Sequence, residues 1–169
     1  RGLGDVYKRQ LVHKAKELQY HTKMINSGRY VNDSMGRYIG KKVVKKIISQ
    51  GKNILGAHVL VMGMTFKENV SDIRNSKVAD IINEFKDFGA EVDVMDPFAS
   101  PLEVLQEYGI RLVERPGKKY DAVVVAGAHT TYLKLDESYF MSITNEHAVL
   151  ADVKGVYRGS IHQMIYWSL

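Results

Sequence analysis

Four segments of the sequence combine charged or titratable side chains with turn-forming residues. The longest, Gly63-Met64-Thr65-Phe66-Lys67-Glu68-Asn69-Val70-Ser71-Asp72-Ile73-Arg74-Asn75-Ser76, carries two cations, Lys67 and Arg74. Where such a segment leads from a strand into a helix, free backbone N–H groups and the helix dipole add to the side-chain charge, and the place suits an anion. It holds one glycine, not Gly-x-Gly-x-x-Gly, so it does not offer the close backbone approach to a pyrophosphate of a standard NAD site. The competing role for Arg74 is an ion pair with Asp72 or Glu68. Asp96, followed by Pro97, ends the second expected strand; an acidic residue there binds a ribose hydroxyl or caps a turn. His129, in Gly127-Ala128-His129-Thr130-Thr131, offers a base but has no carboxylate near it in sequence. Capping of the next helix, or packing, competes with catalysis there. Lys154, in Asp152-Val153-Lys154-Gly155-Val156-Tyr157-Arg158, meets a phosphate or nucleotide, or is plain surface charge.

Composition removes whole classes of chemistry. The 169 residues include no cysteine, which excludes a disulfide, a thiolate metal site, a cysteine nucleophile or an iron–sulfur cluster within this chain. Six histidines (His13, His21, His58, His129, His147, His162) are scattered without a His-Glu-x-x-His or similar pair, so no metal site is expected. Lysine and arginine number 24 against 19 acidic residues, a net charge of +5. Lys41, Lys42, Lys45 and Lys46 recur at helical spacing with no aromatic residues between them, which reads as a solvated helix face and not a nucleic-acid stripe. No apolar run approaches the roughly 20 residues needed to span a bilayer, so no membrane role is expected. Residues 1–10 lack the apolar stretch of a secretory signal, and a cytoplasmic location is the default expectation.

The elements that must position these residues are helical first, then alternating. Leu11 to Tyr20 has a short helical pattern that Asn26, Ser27 and Gly28 are expected to break. A second helix is signalled by the N-cap group Asn32-Asp33-Ser34. Met35, Ile39, Val43 and Ile47 form its stripe, widened by Val44 and Ile48, up to a stop at Gly51. Gly36 and Gly40, one turn apart, either permit close helix packing or are weak helix positions. Beyond Gly51 the texture changes. Strands are expected at Ala57–Met62, Glu91–Met95, Ile110–Val113, Ala122–Ala126 and Ala148–Val153, the first and fourth of them apolar runs. Helices are expected at Val78–Phe88, Leu102–Tyr108 and Asp136–Ile143. Strands alternating with helices imply βαβ units and a Rossmann-like, doubly wound parallel sheet, α/β in class, preceded by a helical segment. In such sheets ligands bind beyond the carboxyl ends of the strands, where all four segments fall.

Taken in order, Phe66-Lys67-Glu68-Asn69, Asp72-Ile73-Arg74-Asn75-Ser76, Gly89-Ala90 and Asp96-Pro97 resemble the C-terminal domain of the UDP-glucose/GDP-mannose dehydrogenase family. His13-Lys14-Ala15, Gly28-Arg29 and Asn32-Asp33-Ser34-Met35 resemble the helical segment that precedes it. Asp152-Val153-Lys154-Gly155 and the Tyr166-Trp167-Ser168-Leu169 ending extend the likeness to about residues 11–169. The flavour is that of the branch acting on UDP-N-acetylhexosamines for surface polysaccharides. The resemblance implies three parts: an NAD-binding N-terminal domain, a central helical domain that makes a homodimer and carries a catalytic cysteine, and a UDP-binding C-terminal domain. It implies oxidation of the sugar's primary alcohol to the carboxylate in two hydride transfers.

By motif match, Phe66 and Lys67 contact the UDP-sugar, and Arg74 reaches the NAD held by another domain. Lys154 stands where some members carry an arginine that touches substrate; lysine cannot make the bidentate fork. With neither cysteine nor NAD domain, the chain is expected to be inactive alone and to carry no catalytic residue. The expected division is a foreign or disordered segment at 1–10, a remnant of the helical dimerisation domain at 11–51 and the UDP-binding domain at 52–169. The alternative is a stand-alone, non-catalytic nucleotide-binding or dimerisation module.

Overall fold

A computed structural model of the chain describes Gln10, His13, Lys14 and residues 23–169, with the side chains of 24–26 excepted. The chain divides into two compact units, Arg1–Met35 and Gly36–Leu169. The expectations for residues 1–10, and most of the Leu11–Tyr20 helix, lie outside the described residues.

Helix α1 runs Lys23–Ser49 without interruption. The expected break at Asn26-Ser27-Gly28 and the expected start at Asn32-Asp33-Ser34 are therefore both corrected. The helix penalties of Asn, Ser and Gly sum to roughly 2 kcal/mol, which the turns that follow in the same helix, up to Ser49, offset. The apolar stripe is as expected: Ile39, Val43, Val44 and Ile47 are buried, while Ile48 stays exposed.

Beyond Gly51, which takes φ +74° at the helix end, come β1 (His58–Met62), α2 (Val78–Asp87), β2 (Glu91–Met95), α3 (Pro101–Tyr108), β3 (Tyr120–Val125), a single 3-10 turn (Tyr132–Lys134), α4 (Glu137–Ile143), β4 (Thr144–Asp152) and β5 (Ile165–Ser168). The sheet order is β2-β1-β3-β4-β5, and every pairing is parallel. The expected strand at Ile110–Val113 reduces to one parallel bridge, Val94 to Leu112. β5 has no counterpart among the expected strands. The register from β3 to β4 jumps between Tyr120↔Thr144 and Ala122↔Val149, so the regular ladder of β4 starts at Val149, close to the expected Ala148–Val153.

Parallel strands are buried on both faces, and alternation sorts their side chains into two cores. Val59, Val61, Ala122, Val124, Val149 and Ala151 pack with α1, α2 and α3. Leu60, Met62, Val123, Val125 and Leu150 pack with Tyr132, Phe140 and Tyr157 on the other face. Gly36 and Gly40 let α1 lie directly on α2. A Cβ at Gly36 would sit 2.5 Å from the Asp80 Cβ, and one at Gly40 would sit 2.8 Å from the Glu84 Cβ.

No helix covers the β4–β5 connection. The carboxylate of Glu137 instead accepts the backbone N–H groups of His162 (2.9 Å), Gln163 (2.6 Å) and Met164 (3.0 Å), fixing the chain where it turns into β5. Among the described residues no helix is long and apolar enough to cross a membrane, and no group of three or more His, Asp or Glu could hold a metal ion.

Candidate functional site

The chain leaves β1 for β2 on one side of the sheet and later adds β3 on the other, so the topological switch point lies between β1 and β3. The loops that leave these two strands touch backbone to backbone. Gly63, at φ +97°, would place a Cβ 2.8 Å from the Gly127 nitrogen. The Met62 carbonyl accepts the Ala126 N–H at 2.9 Å. The close approach of the two loops thus requires a glycine at position 63.

Two buried carboxylates shape the loops. Asp96, with a fully buried side chain, sits at the end of β2. Its Oδ2 accepts the N–H groups of Met64 (2.5 Å) and Thr65 (3.0 Å), and its Oδ1 those of Phe98 (2.8 Å) and Ala99 (3.0 Å). His129 Nε2 lies 3.1 Å from Oδ2. Burial alone would raise the Asp96 carboxyl. The hydrogen bonds from His129 and from Met64, Phe98 and Thr65 outweigh it and hold the group well below the usual carboxylate range. Of the two sequence roles, turn capping is the one Asp96 fills. Asp152, equally buried, closes β4: it accepts the N–H groups of Gly155 (2.8 Å) and Tyr157 (2.7 Å) and the Tyr166 hydroxyl (2.8 Å). That fixes the turn bearing Lys154.

The predicted site residues occupy two places. Phe66 is exposed, and the Lys67 ammonium lies 5.8 Å from its ring centre. Among the described residues Lys67 has no carboxylate partner. Lys154 meets the same loop: its Nζ is 3.0 Å from Glu68 Oε1. The backbone N–H of Glu68 and then Lys154 lower the Glu68 carboxyl. Arg74 forms the internal pair that the sequence offered as its competing role, donating from Nε and Nη2 to the two oxygens of Asp72, both at 2.9 Å. That pair depresses the Asp72 carboxyl and raises the guanidinium. Arg74 lines an open cavity of about 500 Å³ against α3, with Asp72, Glu103 and Glu107 on its walls. Phe66, Lys67 and Lys154 are not among the residues that line it.

His129 has the partner its sequence neighbourhood lacked. The carboxylate comes from Asp96, 33 positions earlier, and the ring is fully buried. Its carbonyl accepts the Tyr132 N–H at 2.8 Å and starts the 3-10 turn. No local signal predicts the Asp96 contact, because it depends on β2 and β3 flanking β1.

The model of the UDP-glucose/GDP-mannose dehydrogenase family, UDP binding domain, matches residues 60–159, more than half of the chain. The chain belongs to this family. It is 39% identical over 145 residues to a UDP-N-acetyl-D-glucosamine 6-dehydrogenase of Pseudomonas aeruginosa, covering 85% of this chain and 34% of that protein. It is 37% identical over 147 residues to Protein CapL of Staphylococcus aureus, covering 86% and 34%. Among solved structures, the UDP-N-acetyl-mannosamine dehydrogenase Cap5O of Staphylococcus aureus superposes with a TM-score of 0.67 at 28% identity, over 87% of this chain and 33% of that one. An NDP-N-acetyl-D-galactosaminuronic acid dehydrogenase of Methanosarcina mazei shares the fold, with a TM-score of 0.76 at 22% identity over 88% and 32%. The chain spans about a third of the length of the relatives it matches. The doubly wound α/β architecture and the UDP-binding domain expected from the sequence are both borne out.

Proposed function

We propose that this chain is the C-terminal, UDP-sugar-holding part of an NAD-dependent nucleotide-sugar 6-dehydrogenase. Such an enzyme oxidises a UDP-hexose or UDP-N-acetylhexosamine to its uronic acid. The observation that carries the reading is Lys67: a cation without a carboxylate partner among the described residues, on the loop leaving β1, in a UDP binding domain. Phe66 lends an exposed ring beside it. Lys154, drawn to the same loop by Glu68, supplies a second cation. A nucleoside diphosphate bears two or more negative charges, and a cluster of cations on a fixed loop complements it.

The residues of this chain do not fit an NAD site of their own. The switch-point glycines Gly63 and Gly127 close on each other, and no second glycine follows in the loop after β1. In this reading NAD belongs to another domain of the enzyme, and Arg74, on the wall of the cavity against α3, is the residue of this chain that meets it. The chain has no cysteine, so the thiol chemistry of the parent reaction also belongs elsewhere, and the chain alone is inactive. A cytoplasmic homodimer, serving surface polysaccharide synthesis, completes the proposal.

Isothermal titration with UDP tests it. Charge-assisted contacts contribute about 1.5–3 kcal/mol each, so Lys67→Ala is expected to weaken UDP binding by roughly ten- to a hundredfold. Unchanged affinity removes Lys67 from the site.

A further inference from the structure

The imidazole of His129 is buried, lies outside the proposed nucleotide contacts, and joins three loops at the carboxyl edge of the sheet. Its ring stacks against Phe98 (centroids 5.0 Å apart) and meets Tyr132 edge-on (5.3 Å), so it has little freedom to turn. Nδ1 receives the backbone N–H of Asn69 at 2.9 Å. A nitrogen that accepts an N–H carries a lone pair, so the ring hydrogen is assigned to Nε2. That assignment fits the other side of the ring. Nε2 faces the Asp96 carboxylate at 3.1 Å and the Thr65 oxygen at 3.4 Å. The Thr65 hydroxyl donates onward to the Lys67 carbonyl at 2.8 Å.

These bonds bracket Lys67. Two residues before it, Thr65 is tied to Asp96 and to the Lys67 carbonyl. Two residues after it, Asn69 is held by its N–H on His129, while its side-chain oxygen accepts both the N–H (2.9 Å) and the hydroxyl (3.1 Å) of Thr130. Asn69 takes φ +58°, a left-handed conformation that Asn tolerates better than most residues but that still needs a surrounding constraint. The bond between Phe66 N–H and the Asp72 carbonyl, at 2.7 Å, closes the base of the same loop.

We propose that His129 is a positioning residue for nucleotide binding: as the Nε2-H tautomer it braces the Phe66–Asn69 loop from beneath, so that Lys67 is set for a phosphate before any ligand arrives. The inference rests on the reading of Lys67 as a UDP contact and adds the part that holds it. A loop already ordered loses less conformational freedom on binding, which is how a group that never touches the ligand alters affinity.

The test uses the full chain, UDP as the probe, and the variants His129→Ala and His129→Asn. Asparagine can place an oxygen near the Nδ1 position and accept the Asn69 N–H, but it does not reach the Nε2 partners. The expected result is a loss of UDP affinity of about tenfold or more in His129→Ala, equivalent to about 1.4 kcal/mol, with most of it recovered in His129→Asn. A purely structural histidine would instead lower thermal stability in both variants and leave the affinity of the folded fraction unchanged, and that outcome overturns the inference. A measurement on the unmodified chain covers the case in which neither variant folds. Hydrogen exchange and ¹⁵N spectra should show the Asn69 amide protected without UDP and Nδ1 unprotonated. An Asn69 amide that exchanges like an open loop until UDP is added refutes the bracing. Absence of UDP binding in the unmodified chain would sink the nucleotide reading itself. Tight binding that His129→Ala leaves intact would sink only the role of His129.

Discussion

Asp96→Asn is a small change in shape with a large expected effect, because the carboxylate receives hydrogen bonds from every side. Oδ2 faces three donors (Met64 N–H, Thr65 N–H and His129 Nε2), and Oδ1 faces two (Phe98 and Ala99 N–H). Asparagine replaces one oxygen by an NH₂ group. Turned one way, the amide opposes three donors; turned the other, it opposes two. At least two buried N–H groups then lose their acceptor, and an unmade buried hydrogen bond costs about 1–3 kcal/mol. The expected loss is about 2–6 kcal/mol, a large share of the 5–15 kcal/mol typical of a native protein. For a chain of this length it corresponds to a melting temperature lower by roughly 5–20 °C. Urea denaturation followed by circular dichroism reads the difference. A loss below about 1 kcal/mol would refute the reasoning, since it would mean that these N–H groups find other partners.

Acid produces a related perturbation without mutation. The Asp96 carboxyl is held below its ordinary value of 3.8, so the unfolded chain takes up the proton first. Its contribution is therefore whole above that value and is lost as the pH falls from there toward the native value. The stability gap between the unmodified chain and Asp96→Asn should narrow in that range. A gap that stays constant from about pH 5 to about pH 2 refutes the assignment.

Gly40→Ala is expected to destabilise the fold. The new methyl would lie 2.8 Å from the Cβ and Cγ of Glu84, and overpacking of about 1–3 kcal/mol exceeds the roughly 1 kcal/mol gained in helix propensity. Gly28→Ala on the same helix meets nothing within 4 Å and should be neutral or stabilising; thermal melts of the two variants compare them directly. Glu68→Gln removes the partner of Lys154 and should tighten UDP binding. An exposed pair contributes at most about 1 kcal/mol, so the gain is capped at roughly fivefold by titration calorimetry, and weaker binding would show that Glu68 helps the ligand.

Much of the sheet is legible because β1 and β3 are short, largely apolar runs and the other expected strands alternate with helical patterns between turn residues. Glu91–Met95 is found where it was expected, and α2 ends one residue early. What was not legible depends on distant partners. β5 contributes four residues, Ile165–Ser168, all half-buried, so it shows neither the alternation of a one-sided strand nor the apolar run of a central one. Its place is set by Glu137, more than twenty positions upstream. Ile110–Val113 has strand-like residues, but its pairing stops at the one bridge beside Val94, made by Leu112 and the Val113 N–H. The site is legible as a list of cations. Its pairing is not: Arg74–Asp72 is local and within reach of the sequence, whereas Lys154–Glu68 spans 86 positions and requires β4 to lie beside β3.

That pairing ranks the cations. An anion arriving at Lys154 exchanges one negative partner for another, because Glu68 is already 3.0 Å away, and the net gain is the difference between two similar ion pairs. At Arg74 the same holds with a stronger incumbent, since both Asp72 oxygens are engaged by the guanidinium fork. At Lys67 no carboxylate must be displaced among the described residues, so a phosphate gains an ion pair where there was none. The affinity should therefore concentrate on Lys67, with Lys154 tuning it. Because Lys67 is exposed and Lys154 half exposed, UDP binding should weaken steadily with added salt as the Debye length contracts.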